Sequence, residues 1–308
     1  MLRLLALLLF LHISNKALSF NLYADTTKNL KVKIAPYIGL SRQNFSYNIA
    51  GSEEGTGPNI LSELKWNRTV TKEIGGNLDV SYKRIIFKST FLFSKTISGN
   101  VSDIDYAEDN RKSIFSQHYL SNHKGNGHLI NIMLGYNLIK KNTYAIDLLV
   151  AYKHVSNKLF LLNEKHLTED DPDYQPGLNS YYKYQYPNLG GVVISSYSIN
   201  RRINLSLELG AYRTFYYAYG NWNLRKDFAQ PISYEHKGKG INLSSSIGTN
   251  IILTNWLGLG VGYSFMKQNL KNGKDVLFTS GGDELNTRLN EIKYTENTIF
   301  ITLNHSIF

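Results

Sequence analysis

No cysteine occurs anywhere in the 308 residues, so a small disulfide-stapled scaffold is excluded. Beyond the N-terminal stretch there is no apolar run near the about 20 residues that a helix needs to cross a bilayer, which excludes a multi-span helical membrane protein. The eight histidines show no His-x3-His or comparable spacing within one element, and no metal site follows from them. The acidic run Asp103-Ile-Asp105-Tyr-Ala-Glu-Asp109 lacks the glycine and the distal glutamate that a calcium loop of the EF-hand kind requires. Gly258, Gly260 and Gly262 lie inside a strand pattern with no helix start after them, which excludes a nucleotide-binding glycine loop. Repeats, heptads and low-complexity tracts are also missing, so one domain over residues 20–308 is the economical expectation.

What is present begins with Met1-Leu-Arg-Leu-Leu-Ala-Leu-Leu-Leu-Phe-Leu-His12, followed by the small residues Ala17 and Ser19. One early arginine, a short apolar run and small residues predict a secretory signal peptide over residues 1–19. An exported, cysteine-free chain with 22 tyrosines and 14 phenylalanines suits an outer-membrane barrel, where aromatic girdles mark both interfaces. The net charge of +10 on an exported chain points to anionic lipid head groups or a charged surface polymer, not to nucleic acid.

Alternation decides the fold class. From Ile203 to Ala211, Ile203, Leu205, Leu207, Leu209 and Ala211 share one face, and Asn204, Ser206, Glu208 and Gly210 the other. A strand with lipid outside and a polar lumen inside must read this way, whereas a helix would mix the two sets. The same period runs through Leu257 to Phe265 and through Ile130 to Leu138. The pattern predicts an all-β, ten-stranded antiparallel transmembrane barrel. Its strands fall near residues 30–48, 58–80, 85–98, 127–139, 143–162, 178–198, 202–219, 231–251, 255–270 and 291–308. Short turns alternate with long polar segments, which are read as periplasmic turns and surface loops. The longest expected loops are 99–126 and 271–290.

Where the third strand is expected to end, the chain reads Gly99-Asn100-Val-Ser-Asp103-Ile-Asp105-Tyr106. Two carboxylates two residues apart in extended chain point the same way and share one environment. Like charges held that close raise one pKa, which allows a shared proton and a bound water. This segment resembles the Gly-Asn-x-x-Asp-x-Asp-aromatic segment of the omptin family of outer-membrane aspartyl endopeptidases. Leu64-Lys-Trp66 is similar to that family's Leu-Asp-Trp, and Ser116-Gln-His118 to its Ser-x-His.

The resemblance implies a ten-stranded barrel, peptide hydrolysis at its mouth by a water held between Asp103, Asp105 and an opposing Asp-His dyad, and a need for lipopolysaccharide. The dyad positions fall on Asn221 and Asn223. Asparagine has no proton-accepting nitrogen and cannot serve as general base. His236, whose parity aims it into the lumen, is the available substitute, although Asp227 is not spaced to orient it. Lys237 and Lys239 face outward by the same parity and are available to lipopolysaccharide.

The expected function is therefore an omptin-like outer-membrane surface protein, a monomer, built for water-mediated peptide hydrolysis but lacking the dyad in its usual place. One alternative is a non-catalytic adhesin that binds host or surface polypeptides through the 99–126 and 271–290 segments. Another is a small porin, for which ten strands leave little clear channel.

Overall fold

The computed structural model describes residues 30–307, so the expected signal peptide over residues 1–19 lies outside the described residues. Eleven strands make up almost all of that span. They are β1 Leu30–Ile49, β2 Ser62–Tyr82, β3 Ile85–Glu108, β4 Lys112–Ser121, β5 Gly125–Lys140, β6 Tyr144–Leu161, β7 Ser180–Ser198, β8 Ile203–Asn221, β9 Tyr234–Ile252, β10 Leu257–Phe278 and β11 Glu284–Ser306. Ten of them close an antiparallel ring in which β1 meets β11 and β3 passes directly to β5. The eleventh, β4, forms a hairpin with the upper part of β3. Closure pairs each of the ten ring strands on both sides, the condition for crossing lipid with strands.

The alternation read from the sequence is the alternation of the wall. On β11, Ile299, Ile301 and Leu303 face outward and exposed, while Thr298, Thr302 and Asn304 are buried inside. Strands of 16 to 24 residues in the ring stand about 50 Å tall at a rise of about 3.3 Å and a tilt of about 40°. An outer-membrane apolar band is only about 25 Å tall, so the upper part of the barrel projects beyond it.

Inside, that upper part is filled with rings. Phe45, Trp66, Tyr182, Tyr184, Tyr186 and Tyr294 are all buried, and Phe45 stacks on Tyr184 at 4.8 Å between centroids. Trp66 Nε1 donates to the Phe160 carbonyl at 3.0 Å, which satisfies the one polar atom of its indole. This aromatic layer lies between an upper cavity of about 900 Å³ and a polar lower one of about 570 Å³.

Two expectations are corrected. Residues 99–126 and 271–290 are not long loops: β3 continues to Glu108 and returns as β4, and β10 and β11 extend to a short connection at 279–283. The reason is a change of phase. On β3, Phe91 and Phe93 face out and Leu92 and Thr96 face in, but above an irregularity at Ile97 and Ser98 it is Gly99 and Val101 that face in. On β10, Met266, Gln268 and Leu270 face in, then a kink at Asn272, with φ of 55°, turns Asp275 inward. A β-bulge inserts one residue and so exchanges the two faces. A period-2 pattern ends at each bulge although the strand does not.

Candidate functional site

The bulge on β3 is what aims the paired aspartates. Without it, odd-numbered residues would continue to face outward, as Phe91 and Phe93 do. Gly99 makes the bend possible, because a Cβ there would meet Thr69 Oγ1 at 2.7 Å and Thr69 Cα at 3.0 Å. Asp103 then lies between Leu64 of β2 and His118 of β4, and Asp105 between Ser62 and Ser116. Their Cα atoms are about 6.6 Å apart along the strand, a span that one water can bridge.

The two carboxyls are not equivalent. Asp103 Oδ1 is closed off from solvent and has no hydrogen-bond partner. Burial, and after it the charge of Asp105, push the Asp103 pKa up to about 8, so this group keeps its proton at neutral pH. Burial also raises Asp105, opposed by a hydrogen bond from Ser62, the charges of His118 and Arg225, and a hydrogen bond from Ser116. The arrangement is one acid beside one better-stabilised carboxylate.

Five strands around a ring of ten from β3 is β9, on the opposite wall. It carries His236, which faces inward and has no exposed surface. Asp275 of β10 is its cross-strand neighbour, with Oδ1 2.9 Å from His236 Nε2 but off the axis of a ring N–H bond. Asp275 Oδ2 accepts from Thr287 Oγ1 at 2.6 Å. His236 Nδ1 lies 2.7 Å from the Tyr182 hydroxyl, itself 3.0 Å from that of Tyr216, and the Tyr47 ring stands edge-on at 4.6 Å. Asp227 is not the residue beside His236, since it pairs with Arg225; the neighbouring acid comes from β10. Sequence reasoning missed Asp275 because it sits beyond the second bulge. Nδ1 of His236 is hydrogen-bonded, whereas Nε2 rests against the Asp275 carboxylate without a hydrogen bond, and the side chain has no exposed surface.

Between the walls, the Tyr47 and Tyr234 hydroxyls bond each other at 2.7 Å, and both lie in the field of Asp103 and of Asp275. Burial, the first cause in each case, holds both phenols protonated. Asn221 and Asn223, at the positions expected for a dyad, do not line the cavity. Asn221 donates to Gln230 and to the Pro231 carbonyl, and Asn223 ties the loop to Gly177, Asn179 and Ser180. They are fasteners between loops. His118, by contrast, lines the cavity and makes one long contact, 3.5 Å from Gln175 Nε2 to its Nδ1.

The mouth cavity collects Glu53, Asp103, Asp105, Asp275 and Glu284 against the single guanidinium of Arg225. Phe115, Leu224, Phe228 and Leu285 give it apolar walls. Among the described residues no cluster of three or more potential metal ligands exists. On the outer wall, Lys237 and Lys239 are exposed, their Nζ atoms 5.6 Å from the Tyr217 ring and 5.9 Å from the Phe215 ring.

No curated protein matches the sequence. Among solved structures, the outer membrane protease OmpT from Escherichia coli superimposes with a TM-score of 0.72 at 14% identity, over 90% of this chain and 97% of OmpT. That likeness establishes the fold. The Pseudomonas putida toluene transporter TodX matches with a TM-score of 0.30 at 9% identity, over 90% of each chain. The translocator domain of the autotransporter NalP from Neisseria meningitidis gives 0.33 at 10% identity, over 96% of this chain and 92% of that one. Both of these scores are too low to carry an argument about this chain. The family model described as Protochlamydia outer membrane protein matches residues 37–307, and the chain belongs to that outer-membrane family.

Proposed function

We propose that the protein is a surface peptide hydrolase whose water is activated by Asp103 and Asp105. The observation that carries the reading is the inward-turned pair itself, with Asp103 protonated and unpartnered beside the better-stabilised Asp105. Asp105 takes a proton from the bound water as its oxygen bonds to the peptide carbonyl carbon, and Asp103 gives its proton to the carbonyl oxygen. Tyr47 and Tyr234, whose hydroxyls bond each other within the field of Asp103, line the same cavity and are assigned as the donors that steady that oxygen. When the tetrahedral intermediate collapses, the C–N bond breaks, the amine leaves with the proton held by Asp105, and Asp103 recovers its own. His236 and Asp275 brace the floor and exchange no proton with substrate.

Four carboxylates and the protonated Asp103 against one guanidinium, under apolar walls, select a cationic segment with bulky apolar neighbours. The mouth faces the exterior in this reading, since the connections at the other end span only residues 83–84, 141–143, 199–202 and 253–256. Lipopolysaccharide is the outer-leaflet partner, met by Lys237 and Lys239 at the belt.

Incubation of the folded barrel, with lipopolysaccharide, against peptides containing basic residues tests the proposal. Cleavage that disappears in Asp103→Asn supports it. The full burial of His236 favours a second reading, in which the same cavity binds a cationic polypeptide without turnover; tight binding of intact peptide by the wild-type barrel would select it. The ring-filled lumen counts against a porin.

A further inference from the structure

High on the outer wall, the connection after β4 and the strands β6 to β8 carry three lysines whose surroundings the hydrolase leaves unexplained. Lys158 of β6 and Lys183 of β7 are directly opposite cross-strand partners, and Lys124 lies beside them. Like charges placed directly opposite destabilise a sheet. No carboxylate relieves them: among the described residues, none of the three takes part in a salt bridge. Lys237 lower down, by comparison, has Glu235 at 2.8 Å.

Aromatic faces hold the ammonium groups instead, and Lys124 Nζ also donates to Asn179 Oδ1 at 3.1 Å. Lys158 Nζ is 3.5 Å from the Tyr181 ring centre and 4.8 Å from that of Phe160. Lys124 Nζ stands 4.7 Å from Phe160, and Lys183 Nζ 5.8 Å from Tyr219. A cation over a ring keeps its remaining N–H bonds directed outward, so the three are positioned to donate to one external anion-bearing ligand. Burial and then the charges of Lys124 and Lys183 lower the Lys158 pKa, and no acid counters them.

The height of the cluster limits what it meets. The row Tyr152–Leu189 is apolar, outward and exposed. Lys158 and Lys183 lie six residues farther up, about 15 Å above that row on a tilted strand, clear of the hydrocarbon. We propose that Lys124, Lys158 and Lys183, with the rings of Phe160, Tyr181 and Tyr219, form a docking site for a polysaccharide that carries clustered sulfate or phosphate groups. Adjacent ammonium groups match closely spaced anions on a sugar chain, and the half-buried rings of Tyr181 and Tyr219 offer edges and faces to the sugars, while the buried Phe160 only backs the lysines.

The site is independent of the hydrolase reading, and its test is direct binding. The whole barrel is refolded in neutral detergent without lipopolysaccharide and titrated with heparin, with phosphorylated core oligosaccharide released from lipopolysaccharide, and with neutral dextran. Binding of heparin alone assigns the ligand to another surface, and binding of the core oligosaccharide assigns it to the outer leaflet; either supports the proposal. The triple variant Lys124→Gln, Lys158→Gln, Lys183→Gln is expected to weaken binding by about tenfold or more, while Lys267→Gln with Lys271→Gln, both exposed on β10, leaves it nearly unchanged. Should the triple variant not fold, the exposed single variant Lys183→Gln, expected to lose about threefold, takes its place. Failure of both anionic probes, equal binding of dextran, or wild-type affinity in the lysine variants overturns the proposal.

Discussion

The two walls of the mouth carry the same kinds of groups in opposite circumstances. On β3, Asp103 has a buried oxygen with no partner and a neighbouring carboxylate, and both acids line the cavity. On β9 and β10, His236 and Asp275 also line it and look like a catalytic pair, yet Tyr182 holds one nitrogen of the imidazole and Thr287 one oxygen of the carboxylate. Burial strengthens each interaction on both walls, but Asp103 has no hydrogen-bond or ion-pair partner, whereas His236 Nε2, which makes no hydrogen bond, still lies 2.9 Å from Asp275. Residue type alone would have ranked the walls the other way. What separates a site from a brace is whether a polar atom has a protein partner beside it.

The sharpest way to break that comparison is to remove the free acids. Asp103→Asn or Asp105→Asn should lower kcat for peptide cleavage by about 10²–10⁴, with thermal unfolding little changed. Removing the brace should do the reverse. Asp275→Ala leaves His236 buried without its carboxylate and should cost about 3 kcal/mol of stability, read from denaturant unfolding in detergent, while the protein that remains folded keeps most of its activity.

Gly99→Ala tests whether the bulge aims the pair. Its Cβ must displace Thr69, an overpacking of about 1–3 kcal/mol, and activity should fall more than stability because Asp103 moves with the strand. The pH profile gives a smaller but more specific signal. Asp103 acts in its protonated form and its pKa is raised, so cleavage should be complete below about 8 and decline as pH rises through about 8. Asp105 acts as the carboxylate, so the acid limb lies above the ordinary carboxylate value. His118→Gln removes a charge that lowers Asp105, and should shift that acid limb upward with little loss at neutral pH.

The lower barrel and the whole of β9 were legible because nothing interrupts their period: Ile241, Leu243, Ile247 and Ile251 of β9 face outward and His236, at the mouth, faces inward along one unbroken phase. The upper parts of β3 and β10 were not. At Ile97 and Ser98, and again at Asn272, one extra residue exchanges the faces, and strands read as loops from there on. Asp103 and Asp105 were found through a local motif that does not depend on phase. Asp275 has no such motif; only the register of β9 against β10 brings it to His236. The three lysines were equally hidden, since Lys158 and Lys183 are far apart in sequence and adjacent only across a strand pair.

The account stands most directly on one side-by-side kinetic measurement: kcat/KM for a fluorogenic basic peptide with the wild-type barrel, Asp103→Asn and His236→Gln, each corrected for its folded fraction. It predicts cleavage by the wild type, none detectable in Asp103→Asn, and near wild-type turnover in folded His236→Gln. Loss of activity in folded His236→Gln, or its survival in Asp103→Asn, would contradict the assignment of the chemistry to the β3 wall.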